Sequence, residues 1–401
     1  MAQLTLMILS SLLIFMQSSH ADTIKVLHYN IKELDSQKLN QSNEQVKNVK
    51  SITDNYDFDI LSINELQYDL TGVPNDSFKT DGENLDKLAK LLGLKPNVTV
   101  FGPANTGMNA RIGPNGEYYR NANSAEARSH ADQLNFGTMP GQYSTGAMLI
   151  NGKLLSTKII SKLKWKDFNS SADFSEFKTA DGKSIPEDML LFDKNFTHMK
   201  IEFKAKEVHV LLLHTVPSYY FGNKFSINDY RNAEQLRFME WYMTGSTDFK
   251  VQLKSITPIS EKKYIIAVGD LNVAPTESGG EGSLVINNLI KKATPWIKKS
   301  AMNFTSESSG YRKDPNRFML DYIFTSKLLK PVKGKIIHPN FEWIDAECAG
   351  EEESKNPNPN IYAKILFKKG TKDCYAYTRH DYVTLKKASD HYPIYGEFEF
   401  L

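Results

Sequence analysis

The chain has 401 residues, 40% of them hydrophobic, which is enough apolar material for a large core. Its 49 Lys+Arg against 47 Asp+Glu leave a formal net charge of +2, a balance that neither supports nor excludes a polyanionic partner, because local patches outweigh the sum. Beyond the N-terminus no apolar run reaches the roughly 20 residues of a membrane span, which excludes a polytopic membrane protein.

The run Leu4 to Met16 is apolar except for Thr5, Ser10 and Ser11, and Ser19 and Ala21 supply the small residues of a cleavage site. Residues 1–21 therefore read as a signal peptide, and the mature protein as secreted or periplasmic, with no transmembrane segment. Short apolar runs predict buried strands at 24–29, 60–63, 146–150, 208–213, 264–268, 319–324 and 394–400. Helices are predicted over 43–55, over 84–92 with Gly93 at the end, and over 229–243. This alternation points to α/β layers in a single domain, residues 22–401. Two polar stretches read as irregular insertions: 99–142, rich in Gly, Asn and Arg, and 345–387, which holds the acidic Glu351-Glu352-Glu353. Cys348 and Cys374 form a pair, which in an exported chain reads as one disulfide.

Residues with ligand-type side chains sit at the strand ends: Asn30 in His28-Tyr29-Asn30, Glu65 in Asn64-Glu65, and His214 in Leu213-His214-Thr215. Asp270 and Asn272 follow in Gly269-Asp270-Leu271-Asn272, two apart and so on one face, then Asp321 in Leu320-Asp321-Tyr322, and Asp390-His391 before the last strand. Taken singly, each fits a cap or a structural histidine. Their shared position beyond strand ends is where ligands gather in sheet proteins.

In order and residue type this series resembles the endonuclease/exonuclease/phosphatase superfamily, on Tyr29-Asn30, Asn64-Glu65, Gly269-Asp270-Leu271-Asn272, Leu320-Asp321-Tyr322 and Ser389-Asp390-His391. Leu213-His214-Thr215-Val216-Pro217-Ser218 is similar to the catalytic-histidine segment of pancreatic-type deoxyribonucleases. A secreted bacterial subgroup is similar at Asn105-Thr106-Gly107, Pro140-Gly141-Gln142-Tyr143 and Lys194-Asn195-Phe196-Thr197-His198. The resemblance implies a four-layer α/β sandwich of two packed mixed β-sheets flanked by helices. It also implies Mg²⁺, with Mn²⁺ or Ca²⁺ as alternatives, held by Glu65, Asn30 and Asp390.

On the same resemblance, His391 takes the proton of the attacking water or binds phosphate, oriented by Asp321. Asp270 and Asn272 position the water, and His214 serves as an acid. Tyr143, Lys194, His198 and Arg317 are candidate substrate contacts. Lysine clusters at 291–292, 298–299 and 327–335 fit either a nucleic-acid backbone or a solubilising surface. The expected protein is a monomeric phosphodiesterase or nuclease. The alternatives are a phosphomonoesterase, a sphingomyelinase-like lipid phosphodiesterase, and a catalytically silent binding protein of the same fold.

Overall fold

The computed structural model describes residues 22–73, 80–260, 262–276, 280–297, 303–308, 310–311, 315–344, 348, 357–369 and 371–401. The expected signal peptide, Lys298-Lys299 and Glu351-Glu352-Glu353 lie outside them.

Alternating side chains build the sandwich. In β1 (Thr23–Leu34) and β2 (Ile60–Leu66), Leu27, Tyr29, Ile31, Leu61 and Ile63 join one apolar cluster, and Ile24, Val26 and Ile60 join another. The period of two thus gives each strand two buried faces. Their sheet continues through β3 (Val98–Phe101), β4 (Ser144–Leu149), β13 (Leu329–Ile336) and β17 (Ile394–Phe400) in the order β13-β17-β1-β2-β4-β3. The second sheet comprises β5 (Lys153–Ile160), β6 (Phe196–Phe203), β7 (Lys206–Leu213), β8 (Tyr264–Asp270), β9 (Thr294–Pro295) and β12 (Asp321–Thr325), in the order β5-β6-β7-β8-β12-β9. Both sheets are mixed: β1 and β2 run parallel, as do β7 and β8, and the other pairs are antiparallel.

Helices cover both outer faces. On the first sheet, α1 (Glu44–Thr53) and α2 (Asn84–Leu92) contribute Val46, Val49, Leu85 and Leu88 to the cluster of Leu27 and Ile63. α1 is capped by the Asn43 side chain and α2 ends on Gly93 in the left-handed region, as composition predicts. α3 (Ala125–His130) lies in the insertion after β3, and α4 (Trp165–Phe168) follows β5. On the second sheet, α5 (Asn228–Thr244) packs Phe238 edge-on against Phe196 of β6 at 5.1 Å and is flanked by α6 (Glu281–Lys292).

The stretch 345–387 departs from the irregular insertion expected of it. Within it β15 (Tyr362–Lys369) pairs with β16 (Lys372–Arg379), which pairs in turn with β14 (Trp343–Ile344) just ahead of the stretch, and α7 (His380–Ala388) follows. The polar composition reflects a small sheet with exposed positions such as Leu366 and buried ones such as Cys374 and Ala376. Cys348 and Cys374 are disulfide-bonded. The ribbon β10 (Ser306–Glu307) with β11 (Arg317–Phe318) lies beside the C-terminal strand's approach, where Ser306 bridges to His391.

Candidate active site

The first sheet delivers its polar residues by register. Parallel pairing sets Asn30 opposite Asn64 and His28 opposite Ser62, and their side chains point away from the outer cluster, toward the second sheet. There, antiparallel pairing sets Asp321 opposite Asp270. The two sheets join here through Asn64, whose Oδ1 accepts from the Asp270 backbone N–H at 2.8 Å while its Nδ2 is held within its own sheet, donating to Thr145 Oγ1 at 2.9 Å. Gly269 is required by packing. A Cβ there would lie 1.7 Å from the Leu213 carbonyl oxygen, so any side chain would push β7 away from β8 just before Asp270.

Glu65 and Asn272 have φ of 65° and 48°, and Lys32 and Glu33 have 47° and 48°. Asn tolerates this region, but for Glu it is a strained conformation that the surroundings must enforce. At Glu65 they do so by hydrogen bonds: Oε1 accepts from Asn30 Nδ2 at 2.9 Å and Oε2 from the Glu33 backbone N–H at 3.0 Å. Asp270 is similarly held. Its Oδ1 accepts from Asn272 N–H at 2.8 Å, and its Oδ2 from Asn30 Nδ2 at 2.9 Å and Asn272 Nδ2 at 3.2 Å.

Around Asp270 Oδ2 stand two imidazoles, His214 Nε2 at 3.5 Å and His391 Nε2 at 3.8 Å. One ligand atom from each of Glu65, His214 and Asp270 falls within 4.8 Å of the others, and so does one from each of Asp270, Asp321 and His391. The two groups share Asp270. Their hard carboxylate oxygens with an imidazole suit Mg²⁺, Mn²⁺ or Ca²⁺.

The electrostatics reflect acids crowded in a buried place. Burial raises Asp270 to about 7, with the negative charge of Asp321 adding to it. Burial also raises Glu65, with Asp390 adding. For Asp321 burial acts upward too, but the fields and hydrogen bonds of His391 and His28 outweigh it and hold the carboxyl well below the usual range. Burial pulls His391 down, yet Asp321 and Asp270 overcome it and raise the imidazole well above its ordinary value. His214 is pushed well below, by burial and by the neighbouring Lys194 charge. Its Nε2 faces the Asn272 amide nitrogen at 3.0 Å, which places the neutral ring's proton on Nδ1, a buried atom with no hydrogen-bond partner.

A helix fixes the His214 segment. α5 is buried almost all round, and its polar residues are spent on backbone. Asn232 Nδ2 donates to the carbonyls of Val216 and Leu271, and Gln235 Oε1 accepts from Val216 N–H at 2.8 Å. Arg231, fully buried, donates to the carbonyls of Leu190 and Leu191. The Asn232 bonds tie the segment after β7 to the one after β8 and leave the buried carbonyls paired.

The sequence-derived residues divide into two sets. Glu65, His214, Asp270, Asn272, Asp321 and His391 come together as described. Asn30 is among them, but it presents its amide nitrogen to both acids, and its Oδ1 accepts from Lys32 N–H at 3.0 Å. In this arrangement Asn30 bridges the acids and does not offer them a ligand oxygen. Asp390 lies near Glu65, but its Oδ2 is paired with Lys32 Nζ at 2.8 Å. Lys32 also lines a cavity of about 150 Å³ with Lys38, Lys386 and Lys387, beside the cluster.

Of the expected substrate contacts, Tyr143 is the nearest to the acids, its hydroxyl donating to Glu33 Oε1 at 3.1 Å. Lys194 is buried and committed to Asp193 Oδ2 at 2.8 Å and the Thr215 carbonyl at 3.1 Å. Arg317 binds Glu307 Oε2 at 3.0 Å and lies over the rings of Phe304 and Phe341, so its charge is already engaged. His198 is a correction. Its ring is bonded to Tyr242 of α5 and to His209, and burial drives it down to about 4, so it belongs to the covered side of β6 and not to the acid cluster. The sequence reading passed over His28. Its Nε2 donates to Asp321 Oδ1 at 3.1 Å and its Nδ1 meets Ser62 Oγ at 3.0 Å. The available signal was parity, since His28 lies two residues before Asn30 on the same face.

A solved endonuclease/exonuclease/phosphatase protein from Beutenbergia cavernae DSM 12333 superposes with a TM-score of 0.51, at 12% identity, over 94% of this chain and 72% of that one. This chain has the endonuclease/exonuclease/phosphatase fold. Weaker likenesses of this fold include the sphingomyelinase C of Streptomyces griseocarneus (15% identity, TM-score 0.47, 94% of this chain and 99% of that one). Another is D. rerio TDP2 complexed with single-strand DNA product (15% identity, TM-score 0.44, 94% and 99%). No family model matches the chain, and no curated protein sequence matches it. Among the described residues no helix is long and apolar enough to cross a membrane.

Proposed function

We propose that this protein is an exported, divalent-metal-dependent phosphodiesterase that hydrolyses phosphate diesters by in-line attack of water. The observation that carries this reading is the convergence of Glu65, His214, Asp270, Asp321 and His391 on one end of the sandwich, with Asp270 common to both halves of the cluster. Glu65 and Asp270 are the residues that would hold the cation. When bound, it neutralises charge developing on a nonbridging phosphate oxygen and needs both carboxylates ionised.

The protein groups carry the proton movements. His391 is fixed through Nδ1 to Asp321, which leaves Nε2 to take a proton from the attacking water and a nearby carboxylate to stabilise the imidazolium. Asn272 and Asp270 orient that water, and their own mutual hydrogen bonds keep them in place. His214 turns Nε2 toward Asp270 and Asn272, and a proton carried on that nitrogen can pass to the leaving oxygen, the ring returning to its neutral form. Fold alone does not carry this function, since the same scaffold can be silent; the acid–imidazole geometry supports it. The Cys348–Cys374 bridge supports export.

The test is a metal titration of turnover with bis-p-nitrophenyl phosphate, a soluble diester, and p-nitrophenyl phosphate, a monoester. The account expects diester hydrolysis that depends on added Mg²⁺ or Mn²⁺ and is abolished by chelator. Hydrolysis of the monoester alone would replace it with a phosphomonoesterase.

A further inference from the structure

Four large aromatic side chains protrude from the short segment that links β7 to α5: Tyr219, Tyr220, Phe221 and Phe225, exposed by 61%, 47%, 62% and 49%. Aromatic rings are normally the first groups a chain buries, and a contiguous exposed set marks an interaction surface. The segment is built, not loose. Its backbone is closed by Asn223 N–H to the Tyr220 carbonyl and Ser226 N–H to the Asn223 carbonyl. Asn228 Nδ2 ties down the Tyr219 carbonyl and Asn223 Nδ2 reaches the Lys178 carbonyl. With the backbone satisfied, the rings are held outward.

The patch extends onto the insertion after β3. Phe136 meets Phe221 at 6.3 Å, and Tyr219 packs edge-on against Phe221 at 5.1 Å. Gly137, next to Phe136, lies against Gly107, and Met108 follows it with 47% exposure. The patch also adjoins the acid cluster. Ser218, which begins the aromatic segment, donates its N–H to the Asn272 carbonyl at 3.0 Å.

We infer that the segment 219–225, with Phe136 and Met108, seats this protein on a lipid bilayer surface and brings lipid phosphodiesters to the neighbouring acid cluster. The chemistry matches that occupant on two counts. From Ser218 to Asn228 there is no acidic residue, and Lys224 sets its ammonium over the Phe225 ring at 5.0 Å, a cation at the level where lipid phosphates lie. Tyr and Phe rings with a flanking lysine are the groups that favour the interface between hydrocarbon and water. The exposed thioether chain of Met108 adds area that hydrocarbon accepts but that offers no π-face for stacking on a nucleobase. The docking surface rests on the aromatic segment; the lipid phosphodiester as substrate rests in addition on the proposed reaction.

The experiment compares the full chain with a variant carrying Tyr219→Ser, Tyr220→Ser and Phe221→Ser, all at exposed positions. Sedimentation with phosphatidylcholine–sphingomyelin vesicles, with and without phosphatidylglycerol, measures docking. Turnover of bis-p-nitrophenyl phosphate measures the reaction apart from docking. Removing three rings should weaken vesicle binding by at least about tenfold, lower hydrolysis of vesicular lipid in parallel, and leave turnover of the soluble diester unchanged. Wild-type protein that stays in the supernatant overturns the inference, as does a variant that sediments as well as wild type. Single-stranded DNA binding that the variant loses, without any vesicle binding by wild type, also overturns it and assigns the rings to base stacking. If vesicle binding behaves as expected and the wild type hydrolyses no diester with any divalent metal, the catalytic reading fails while the docking surface stands.

Discussion

Nδ1 of His391 lies 2.8 Å from Oδ2 of Asp321, whose side chain is almost wholly buried while that of His391 keeps 9% of its surface exposed. A buried carboxylate behind an imidazole fixes the tautomer and favours the imidazolium. His391→Ala should therefore lower kcat by about 10³-fold or more with little change in KM. Asp321→Asn should lower kcat too, because an amide can hold the ring but cannot stabilise its charge. The losses should not multiply in the double variant, since residues acting as one unit are non-additive. Steady-state kinetics of the two single variants and the double variant check this; a product of the two losses would mean that the pair acts independently.

His28 occupies the other oxygen of Asp321, at 3.1 Å. It touches none of the reacting atoms proposed above, so it is a positioning residue. His28→Ala should cost about 10- to 100-fold in kcat, the usual range for a supporting partner, at nearly constant KM. His28→Gln, which keeps a donor, should recover part of that loss. Equal losses in both variants, or a rise in KM in step with the fall in kcat, would assign His28 a merely structural part.

Sequence alone made most of this end of the molecule legible, because the relevant residues fall at strand ends and the strands have clean apolar runs. Strands around Leu27, Ile63, Val210, Val268, Ile323 and Phe398 form where the runs predict, as do α1, α2 and α5. Parity alone would have found His28, but a histidine within an apolar strand carries no mark of the Asp321 it meets 293 positions later. His198 is the converse case: its neighbours in the chain resemble a binding segment, but β6 turns its ring under α5. β5 was missed because five of its eight residues in succession, from Leu155 to Ile159, are exposed at a sheet edge, so no inward–outward alternation marks it. The β15–β16 hairpin was missed because it packs on little else, and its polar faces read as a loop.

Metal-free protein should lose stability as pH rises above 6.5. Asp270, raised from 3.8 to about 7, binds a proton in the folded state that the unfolded chain has already released, so stability falls with pH between those values. His391, raised above 6.5, contributes stability that is complete below 6.5 and is lost as pH climbs through its folded value. Both slopes have the same sign. Asp321 has the opposite one, but only below 3.8, and His214 and His198, lowered by burial, have it only below 6.5, so none of the three opposes the decline above 6.5. Thermal unfolding in chelator from pH 6.5 to alkaline pH should show the decline. Saturating Mg²⁺ should reverse it above neutrality, because binding favours ionised acids. A metal-free melting temperature that climbs through neutral pH would contradict the assignment.

The Cys348–Cys374 bridge closes a loop of 26 residues. In the chain-entropy model this contributes about 3.5 kcal/mol. The bridge holds the β14–β16–β15 sheet, away from the acids, so Cys348→Ser with Cys374→Ser should lower the unfolding midpoint in urea and leave diester turnover at full rate. Loss of turnover in protein that remains folded would connect that sheet to the active site.

Glu65 tests the central claim most directly, because its strained backbone and half-buried carboxylate have no evident purpose in packing. The measurement is Mg²⁺ binding by isothermal titration calorimetry to wild type and Glu65→Gln, with bis-p-nitrophenyl phosphate turnover on the same samples. The account predicts a bound ion in wild type, binding weakened beyond detection in Glu65→Gln, and loss of turnover with an unchanged circular dichroism spectrum. Wild-type affinity and turnover in Glu65→Gln would contradict it.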